Sequence, residues 1–359
     1  MMIYKPLSDN EVRAISAAYF AERAPKSQAQ EQPTIVLVGA QPGAGKSGAA
    51  DFVRAELAMR GGFIHVDADR MRERIPLAGG NKPTSEQTQP DAGRLAVALR
   101  GLAIQERRNI VEEGTFRKPD DAAKFIQDMR AQGYKVELMG VATSREESLL
   151  GIYSRHEKQH EAGSKNPRFV SEAYHDEAMQ GFDTTVAKTS AQLDRVRVVN
   201  RTGEMLYDSS TPHHNRQANA LEAMAAGRKI TDDKLAAISK EWASIAERAA
   251  ARGAALDYRH KAADHAQRVT AIKDERIHNH AMKQLDSNLA ALGKDPRYAR
   301  HSGDELVKAA YFRGVHEKAS EIEGKPVAFE KFDARMSDRA TLAKLPDMPD
   351  LEGRQPTAA

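Results

Sequence analysis

Short runs rich in β-branched residues alternate with longer amphipathic stretches over the first 208 residues. The runs are TIVLVG (34–39), FIHV (63–66), NIVEE (109–113), YKVELMGVA (134–142) and RVRVVN (195–200). Alternation of this kind predicts βαβ units, and therefore a mainly parallel sheet with helices on both faces. The sequence RTGEMLYD (201–208) is interpreted as a short hairpin at the edge of that sheet. The pattern thus predicts an α/β fold for this part of the chain.

The pattern changes near residue 214, after which no strand-like run occurs and alanine, leucine and charged residues dominate. Helical stretches are predicted at 214–227, 231–252, 256–292, 302–323 and 327–341. We therefore divide the chain into an N-terminal helical segment, an α/β domain, an all-α domain and a flexible proline-rich tail. Their predicted bounds are 1–30, 31–212, 213–343 and 344–359.

Composition narrows the class of protein. Hydrophobic residues make up 40% of the 359 residues and charged residues 29%, which is typical of a globular protein. Basic residues exceed acidic ones by 54 − 51 = 3, so binding to nucleic acid through dense positive charge is not expected. The absence of cysteine excludes disulfides, thiol catalysis and thiolate metal sites. Because neither a membrane-spanning run nor a secretory signal pattern is found, we expect a cytoplasmic protein that binds no membrane.

The strongest chemical signal follows the first predicted strand, where TIVLVG leads into AQPGAGKSGAADFVRAEL. Small residues between a strand and a helix let backbone N–H groups surround a triphosphate, and the helix N-terminus adds positive potential. Lys46 would then reach the β- and γ-phosphates, and the Ser47 hydroxyl would ligate Mg²⁺. The loop therefore predicts a bound nucleotide with Mg²⁺, and by itself it leaves an ATPase motor, a GTPase switch and a kinase of small molecules open; with the strand-end residues described next, we expect the cofactors to be ATP and Mg²⁺. The residues predicted to form the loop are Gly43, Ala44, Gly45, Lys46, Ser47 and Gly48.

Polar residues follow two further predicted strands. Asp67 comes directly after FIHV, where a carboxylate can accept the proton of an attacking hydroxyl during phosphoryl transfer. The alternative is that Asp67 only caps the next helix, since aspartate is a good N-cap residue. Asp69 is interpreted as a helix cap or a contact to Mg²⁺-bound water, and we group it with the substrate-facing residues. The third strand is followed by a polar cluster predicted to hold the acceptor: Glu113, Thr115 and Arg117.

Two arginines lie on either side of a glycine-containing segment after the fourth strand. Arg155 is in YSRHEKQHEAG and Arg168 follows thirteen residues later in SKNPRFVSEAYHDEA. Guanidinium groups on a mobile lid can neutralise charge on a transferring phosphoryl group, so we predict that both take part in catalysis. The alternative is that each is an ordinary solvated surface residue. The chain lacks the Asn-Lys-x-Asp motif that GTPases use to recognise guanine.

The chain resembles the zeta toxin family of toxin–antitoxin systems over about residues 30–208. The matching segments, in the family's order and spacing, are VGAQPGAGKS, HVDADRMR, IVEEGTFRKP, SRHEKQHEAGSKNPR and RVVNRTGEMLYD. The resemblance implies a P-loop kinase fold, phosphoryl transfer from ATP to the 3′-hydroxyl of UDP-N-acetylglucosamine, and a cognate antitoxin protein as partner. NAD is an alternative acceptor, because relatives phosphorylate other molecules.

The same resemblance implies roles for individual residues. Lys46 and Ser47 would bind ATP and Mg²⁺, and Asp67 would be the base that activates the acceptor hydroxyl. The family's substrate motif and its two lid arginines fall on Glu113, Thr115, Arg117, Arg155 and Arg168.

The helical region after residue 213 leaves other functions open. Compact members of the family lack it, so it could dock a partner, inhibit the kinase or deliver the protein. A nucleotide-regulated interaction or delivered effector protein would bind ATP with little transfer, and a self-inhibited kinase would have its ATP site covered by residues 1–30 or by the helical region. Within that region we expect Trp242 to anchor the core and the histidines to pack or face solvent: His260, His265, His278 and His280.

Overall fold

The structure is a computed structural model that describes residues 4–76, 84–164 and 167–348. Its centre is a six-stranded sheet with strand order β2-β3-β1-β4-β5-β6, in which all neighbours are parallel except β5 and β6. The strands are β1 (Thr34–Gly39), β2 (Ile64–Val66), β3 (Ile110–Gly114), β4 (Lys135–Ala142), β5 (Arg195–Asn200) and β6 (Met205–Asp208). The predicted mainly parallel sheet with an edge hairpin is confirmed.

Eight α-helices accompany the sheet in the described part of the first 229 residues. They are α1 (Asp9–Arg23), α2 (Lys46–Ala58), α3 (Ala68–Arg72), α4 (Ser85–Gln105), α5 (Pro119–Ala131), α6 (Arg145–Glu161), α7 (Glu172–Thr189) and α8 (Ala220–Gly227). Local sequence explains where they begin: Ser8 and Ser144 form capping boxes with Glu11 and Glu147, and Pro119 occupies the first turn of α5. All of β1 and all but the first residue of β4 are buried, as expected for central strands whose two faces are covered by helices.

The N-terminal helix α1 packs on α4. The Ser16 hydroxyl is fully buried and donates to the Leu95 carbonyl, and Val12 and Tyr19 join the apolar core. Asp91 ties down the chain before α1 by accepting from the Tyr4 hydroxyl and the Leu7 N–H. The described part of the N-terminal segment therefore completes the core beside α4.

The chain forms two compact units, Met1–Lys229 and Ile230–Ala359. This division lies later than the predicted boundary at 212/213. The difference has a physical reason: α8 packs against β4, β5 and β6, and its residues Ala220, Ala223 and Met224 belong to the core of the first unit. Most of the predicted tail, from residue 349 onward, lies outside the described residues.

The second unit contains only helices in its described part, as predicted. They are α9 (Asp232–Ala251), α10 (Leu256–Leu292), α11 (Gly303–Ile322), α12 (Phe329–Met336) and α13 (Arg339–Ala343). The last two replace the single helix predicted at 327–341, because Asp338 caps a new helix by accepting from the Thr341 N–H. None of the helices in the described ranges is long and apolar enough to cross a membrane.

Trp242 is fully buried and stacks on His265, as expected for a core residue of the helical unit. His278 contacts the Tyr311 hydroxyl at 2.9 Å and His280 contacts Glu317 at 3.0 Å, while His260 is exposed. These histidines therefore have packing or surface roles, in agreement with the sequence prediction.

Candidate active site

The site forms where the carboxyl ends of the parallel strands lie side by side. In the sheet register, Gly39 at the end of β1 lies opposite Gly114 of β3 and Gly140 of β4. The segments that follow these strands, and the one that follows β2, therefore leave the sheet at the same edge. Ligands of open α/β sheets bind at this edge.

The loop between β1 and α2 has the backbone of a phosphate-binding loop. Gly43 and Gly45 adopt left-handed conformations with φ of +77° and +93°, and Gly45 immediately precedes α2. Ser47 and Gly48 are exposed in the first turn of the helix, where backbone N–H groups lack intrahelical partners. The predicted loop residues thus form one continuous turn that opens on a helix N-terminus.

Lys46 folds back over this loop. Its Nζ donates to the carbonyl oxygens of Ala40 at 2.9 Å and Gln41 at 3.1 Å. Burial lowers the pKa of Lys46 to about 8, against the opposing charges of Glu113 and Asp69. The two carbonyl oxygens that accept from Lys46 are neutral. The phosphates of a bound triphosphate would give its ammonium group anionic partners.

Residues that sequence reasoning missed hold the loop in place. Thr143, which follows β4, donates from its hydroxyl to the Ala44 carbonyl at 2.8 Å. Arg201, which follows β5, donates to the carbonyls of Gly43 at 2.7 Å and Glu147 at 3.0 Å. Both residues come directly after a strand end, and that position was the available signal.

A buried polar chain extends from the loop to α7. The Gln41 amide donates to the Thr143 carbonyl at 2.9 Å and to the Ser148 hydroxyl at 3.2 Å. Ser148 is 2.7 Å from Nε2 of His175, whose Nδ1 contacts Asp176 at 2.8 Å. Burial lowers the pKa of His175, against the effect of Asp176. The phosphate loop is therefore braced against the two helices that flank the predicted lid.

Opposite the phosphate loop, one wall of the site is formed by three carboxylates, which we call the carboxylate wall: Asp67, Asp69 and Glu113. Asp67 caps α3, and its Oδ1 accepts from the Asp69 N–H at 2.8 Å. Asp69 pairs with Arg72 at 2.7 Å and with Arg168. Glu113, near the end of β3, accepts from His65 at 2.8 Å. Asp67 thus satisfies the capping alternative and also lies beside Glu113 and Asp69.

The surroundings separate the pKa values of these carboxyl groups. Burial and the like charges of Glu113 and Asp69 raise the pKa of Asp67. Burial acts in the same direction on Asp69, but Arg168 and Arg72 outweigh it and hold the pKa of Asp69 below its usual range. A carboxylate with a raised pKa beside ionised ones is suited to accept a proton.

The two lid arginines also face this cluster. Arg168 bonds to Asp69, and Arg155 lies close enough to Arg168, Asp69 and Lys46 to interact with them electrostatically. Burial and the charge of Arg168 lower the pKa of Arg155. Among the described residues, Nε and Nη2 of Arg155 are buried without a hydrogen-bond partner. A bound anion would satisfy these donors.

The other two predicted substrate residues are placed differently. Thr115 follows β3 and is half-buried. Arg117 turns toward α7, where its Nε bonds to Glu177 at 3.0 Å and its Nη1 donates to the Tyr174 hydroxyl at 3.2 Å. Between them, Phe116 has a positive φ of 44°, which is unusual for a residue with a side chain. The structure therefore groups Glu113, but not Arg117, with the cluster around Lys46.

Two sets of side chains could contact a metal. The exposed Ser47 hydroxyl fits Mg²⁺, which prefers oxygen ligands and keeps several waters. Within the described ranges, His65, Asp67 and Glu113 also bring potential ligand atoms within 4.8 Å of one another. The imidazole in that set suits a transition metal better than Mg²⁺.

The sequence profile described as zeta toxin matches residues 17–212, which is more than half of the chain and includes every predicted site residue. The chain belongs to the zeta toxin family. Its zeta toxin part therefore comprises the whole sheet, the phosphate loop and both lid arginines.

Curated zeta toxin relatives are distant in sequence. Toxin PezT of Streptococcus pneumoniae is 24% identical over 248 residues, which are 67% of this chain and 94% of that toxin. Toxin zeta of Enterococcus hirae is 28% identical over 190 residues, which are 51% of this chain and 65% of that toxin. The rest of that zeta toxin lies outside the aligned residues.

A solved structure from the PezAT chromosomal toxin–antitoxin system of Streptococcus pneumoniae has the same fold. It superposes with a TM-score of 0.57 at 22% identity and covers 67% of this chain and 99% of that one. This similarity confirms the predicted α/β fold class of the zeta toxin part.

Proposed function

We propose that the protein is an ATP-dependent kinase that transfers the γ-phosphoryl group to a sugar hydroxyl, with the 3′-hydroxyl of UDP-N-acetylglucosamine as the first candidate acceptor. One observation carries the reaction type: buried Arg155 has unused donors beside Lys46 and faces a carboxylate cluster in which Asp67 has a raised pKa. The arrangement offers cations for a transferring phosphoryl group and a base for the incoming hydroxyl. The family resemblance supports the choice of acceptor.

In the proposed reaction, Asp67 accepts the proton of the acceptor hydroxyl as its oxygen attacks the γ-phosphorus. Glu113 and Thr115 orient the acceptor beside Asp67. Lys46 leaves the carbonyls of Ala40 and Gln41 and donates to the phosphates, while Arg155 and Arg168 offset charge on the moving group. Mg²⁺ held by Ser47 would neutralise phosphate charge when bound.

Arg168 has two roles in this proposal. Without nucleotide it pairs with Asp69 across the site, which brings the lid segment to the carboxylate wall. With nucleotide bound, the phosphates compete with Asp69 for the same guanidinium. Asp69 therefore contributes by positioning Arg168 as well as by facing the substrate.

The names of the relatives support a toxin that acts with a cognate antitoxin, since one of them is the toxin of a toxin–antitoxin system. We propose that this chain is likewise neutralised by a partner protein. Expression of the chain alone should then arrest growth, and the Asp67→Asn variant should not. Growth arrest by both proteins would separate toxicity from phosphotransfer.

The deciding experiment is a mass-spectrometric phosphotransfer assay with ATP, Mg²⁺ and a panel of UDP-sugars, NAD and nucleosides. Wild type should phosphorylate UDP-N-acetylglucosamine and folded Asp67→Asn should not. Another phosphorylated acceptor would keep the reaction type and replace the substrate. No product from any acceptor, with ATP still bound, would favour a nucleotide-regulated interaction protein.

A further inference from the structure

A histidine that the proposed reaction does not use lies directly behind the carboxylate wall. His65 is in the centre of β2, opposite Val111 of β3, and its side chain is only 8% exposed. Its Nε2 is 2.8 Å from Oε1 of Glu113, and its Nδ1 is 3.4 Å from Nη1 of Arg54 on α2. The imidazole thus bridges a cation and a carboxylate from two other elements.

The two neighbours determine which ring nitrogen carries the proton. A guanidinium group can only donate hydrogen bonds, so Nδ1 of His65 faces Arg54 as an acceptor. A neutral imidazole that accepts at Nδ1 carries its hydrogen on Nε2. His65 therefore donates to Glu113.

This tautomer argues against a metal ligand at the same position. His65, Asp67 and Glu113 are close enough to share an ion, but coordination by Nε2 needs its lone pair and moves the proton to Nδ1. There the proton would point at Arg54, whose cation also lies 3.7 Å from Glu113. The arrangement favours a hydrogen-bond relay over a metal site.

The hydrogen-bond relay from Arg54 through His65 acts on the Glu113 carboxylate. Glu113 is half-buried, and burial alone would raise its pKa. The hydrogen bond from His65, together with the charges of Arg54 and Lys46, instead holds the pKa of Glu113 below its usual range. An ionised and oriented Glu113 in turn helps to raise the pKa of Asp67.

We propose that His65 is a positioning residue that, oriented by Arg54, holds the Glu113 carboxylate in place to bind the acceptor hydroxyl. This inference rests on the proposed kinase function for its kinetic consequences. The geometry of the relay can be tested without turnover.

The kinetic test compares two replacements of similar size. His65→Leu removes the donor, and His65→Gln keeps an amide N–H near the position of Nε2. We expect His65→Leu to raise the KM of the acceptor about tenfold and to lower kcat several-fold, as the loss of a hydrogen bond to a charged group implies. The KM of ATP should stay within about twofold, and His65→Gln should restore the acceptor KM to within about threefold of wild type.

Two further variants test the part played by Arg54. Arg54→Met should reproduce part of the His65→Leu defect. Asp51→Asn, which removes only the exposed partner of Arg54, should match wild type. The proposal is overturned if His65→Leu leaves the acceptor KM unchanged, or if His65→Gln is as defective as His65→Leu while both melt at the wild-type temperature.

An activity-independent readout is ¹⁵N NMR of ring-labelled histidine, with the His65 signals assigned by their absence in His65→Gln. The expected result is the Nε2–H tautomer, with resonances that shift in Glu113→Gln. An Nδ1–H tautomer, or ring signals that respond to stoichiometric Zn²⁺, would overturn the relay and favour a metal ligand. If wild type transferred no phosphoryl group, the kinase proposal would fail while this spectrum still decided the geometry.

Discussion

Two buried arginines of the first unit have different partners. Near the start of β5, Arg197 is completely buried and bonds to Glu56 at 2.7 Å and to Glu137 at 2.8 Å. Beside the phosphate loop, Arg155 is largely buried, and its Nε and Nη2 have no partner among the described residues, where Nε of Arg197 is also unpaired. The difference lies in the carboxylates: Arg197 has two of its own, whereas the one that acts on Arg155 is Asp69, which already pairs with Arg72 and Arg168.

The two arginines therefore differ in what compensates the cost of burying their charge. A buried ion pair costs desolvation energy that its own partners largely return, and Glu56 and Glu137 are those partners for Arg197. The desolvation cost of Arg155 is not offset by two carboxylate partners of its own, and a bound anion would lower its free energy. The Arg155 guanidinium lies near Lys46 of the phosphate loop, where the proposed reaction places the γ-phosphate.

The largest expected effect is on the rate of phosphoryl transfer, and it arises at Asp67, which follows the carboxyl end of β2. Asp67→Asn should lower kcat at least about 1,000-fold, because an amide cannot accept the proton of the acceptor hydroxyl. ATP affinity and melting temperature should change little, since asparagine also caps helices well. Phosphotransfer and ATP binding measured on the same preparation check both statements.

Asp121→Asn is the matched control, because this aspartate is exposed on α5 and bonds only weakly to Lys118. It should be fully active. Turnover of folded Asp67→Asn at the wild-type rate would remove Asp67 from the mechanism and leave it a helix cap.

The second prediction concerns Arg197 with Glu56 and Glu137, which we call the Arg197 cluster. Arg197→Leu leaves Glu137 without its buried cation, while Glu56 keeps Arg60 and Arg195, and the variant should destabilise the fold by about 3 kcal/mol. The KM values of the folded fraction should be those of wild type. Urea denaturation and steady-state kinetics measure the two effects, and a large rise in the KM of ATP without destabilisation would contradict the proposed division between the Arg197 cluster and the site around Arg155.

The fold was largely predictable because its signals are local. The first five strands lie in short runs rich in β-branched residues, and Ser8, Ser144 and Pro119 mark helix starts by side-chain chemistry that acts within four residues. The boundary between the two units was not predictable in this way. Helix α8 has a composition like that of the helices after it, and only its packing on the sheet assigns it to the first unit.

The site was predictable in part. Asp67 directly follows β2, Lys46 opens α2 after the loop that follows β1, and the sheet register brings the two together. His65, Thr143 and Arg201 were missed because their roles depend on partners 48 to 158 residues away along the chain. No spacing rule connects such residues until the order of the strands is known.

The third prediction tests the packing of the phosphate loop against α6. A Cβ at position 43 would lie 1.9 Å from the Ser148 carbonyl oxygen, and the φ of +77° is unfavourable for alanine. Gly43→Ala should therefore weaken ATP binding by about 2 kcal/mol, or roughly 30-fold. Gly101→Ala in α4, where nothing lies within 4 Å of the added Cβ, is the control and should bind ATP normally. Normal ATP binding by Gly43→Ala would show that the loop can move away from α6 at little cost.

The smallest expected effect is a pH dependence that arises from Lys46. Its pKa of about 8 in the free protein is low because of burial, and bound phosphates would raise it. Below pH 8 the lysine is already charged, so ATP affinity should be constant there. Above pH 8 binding must also take up a proton, and affinity should fall by up to about tenfold per pH unit until the pKa of the complex is reached. Calorimetry in buffers of different ionisation enthalpy should detect the proton. Lys46→Arg stays charged throughout this range, so an equally steep pH dependence in that variant would assign the effect to another group.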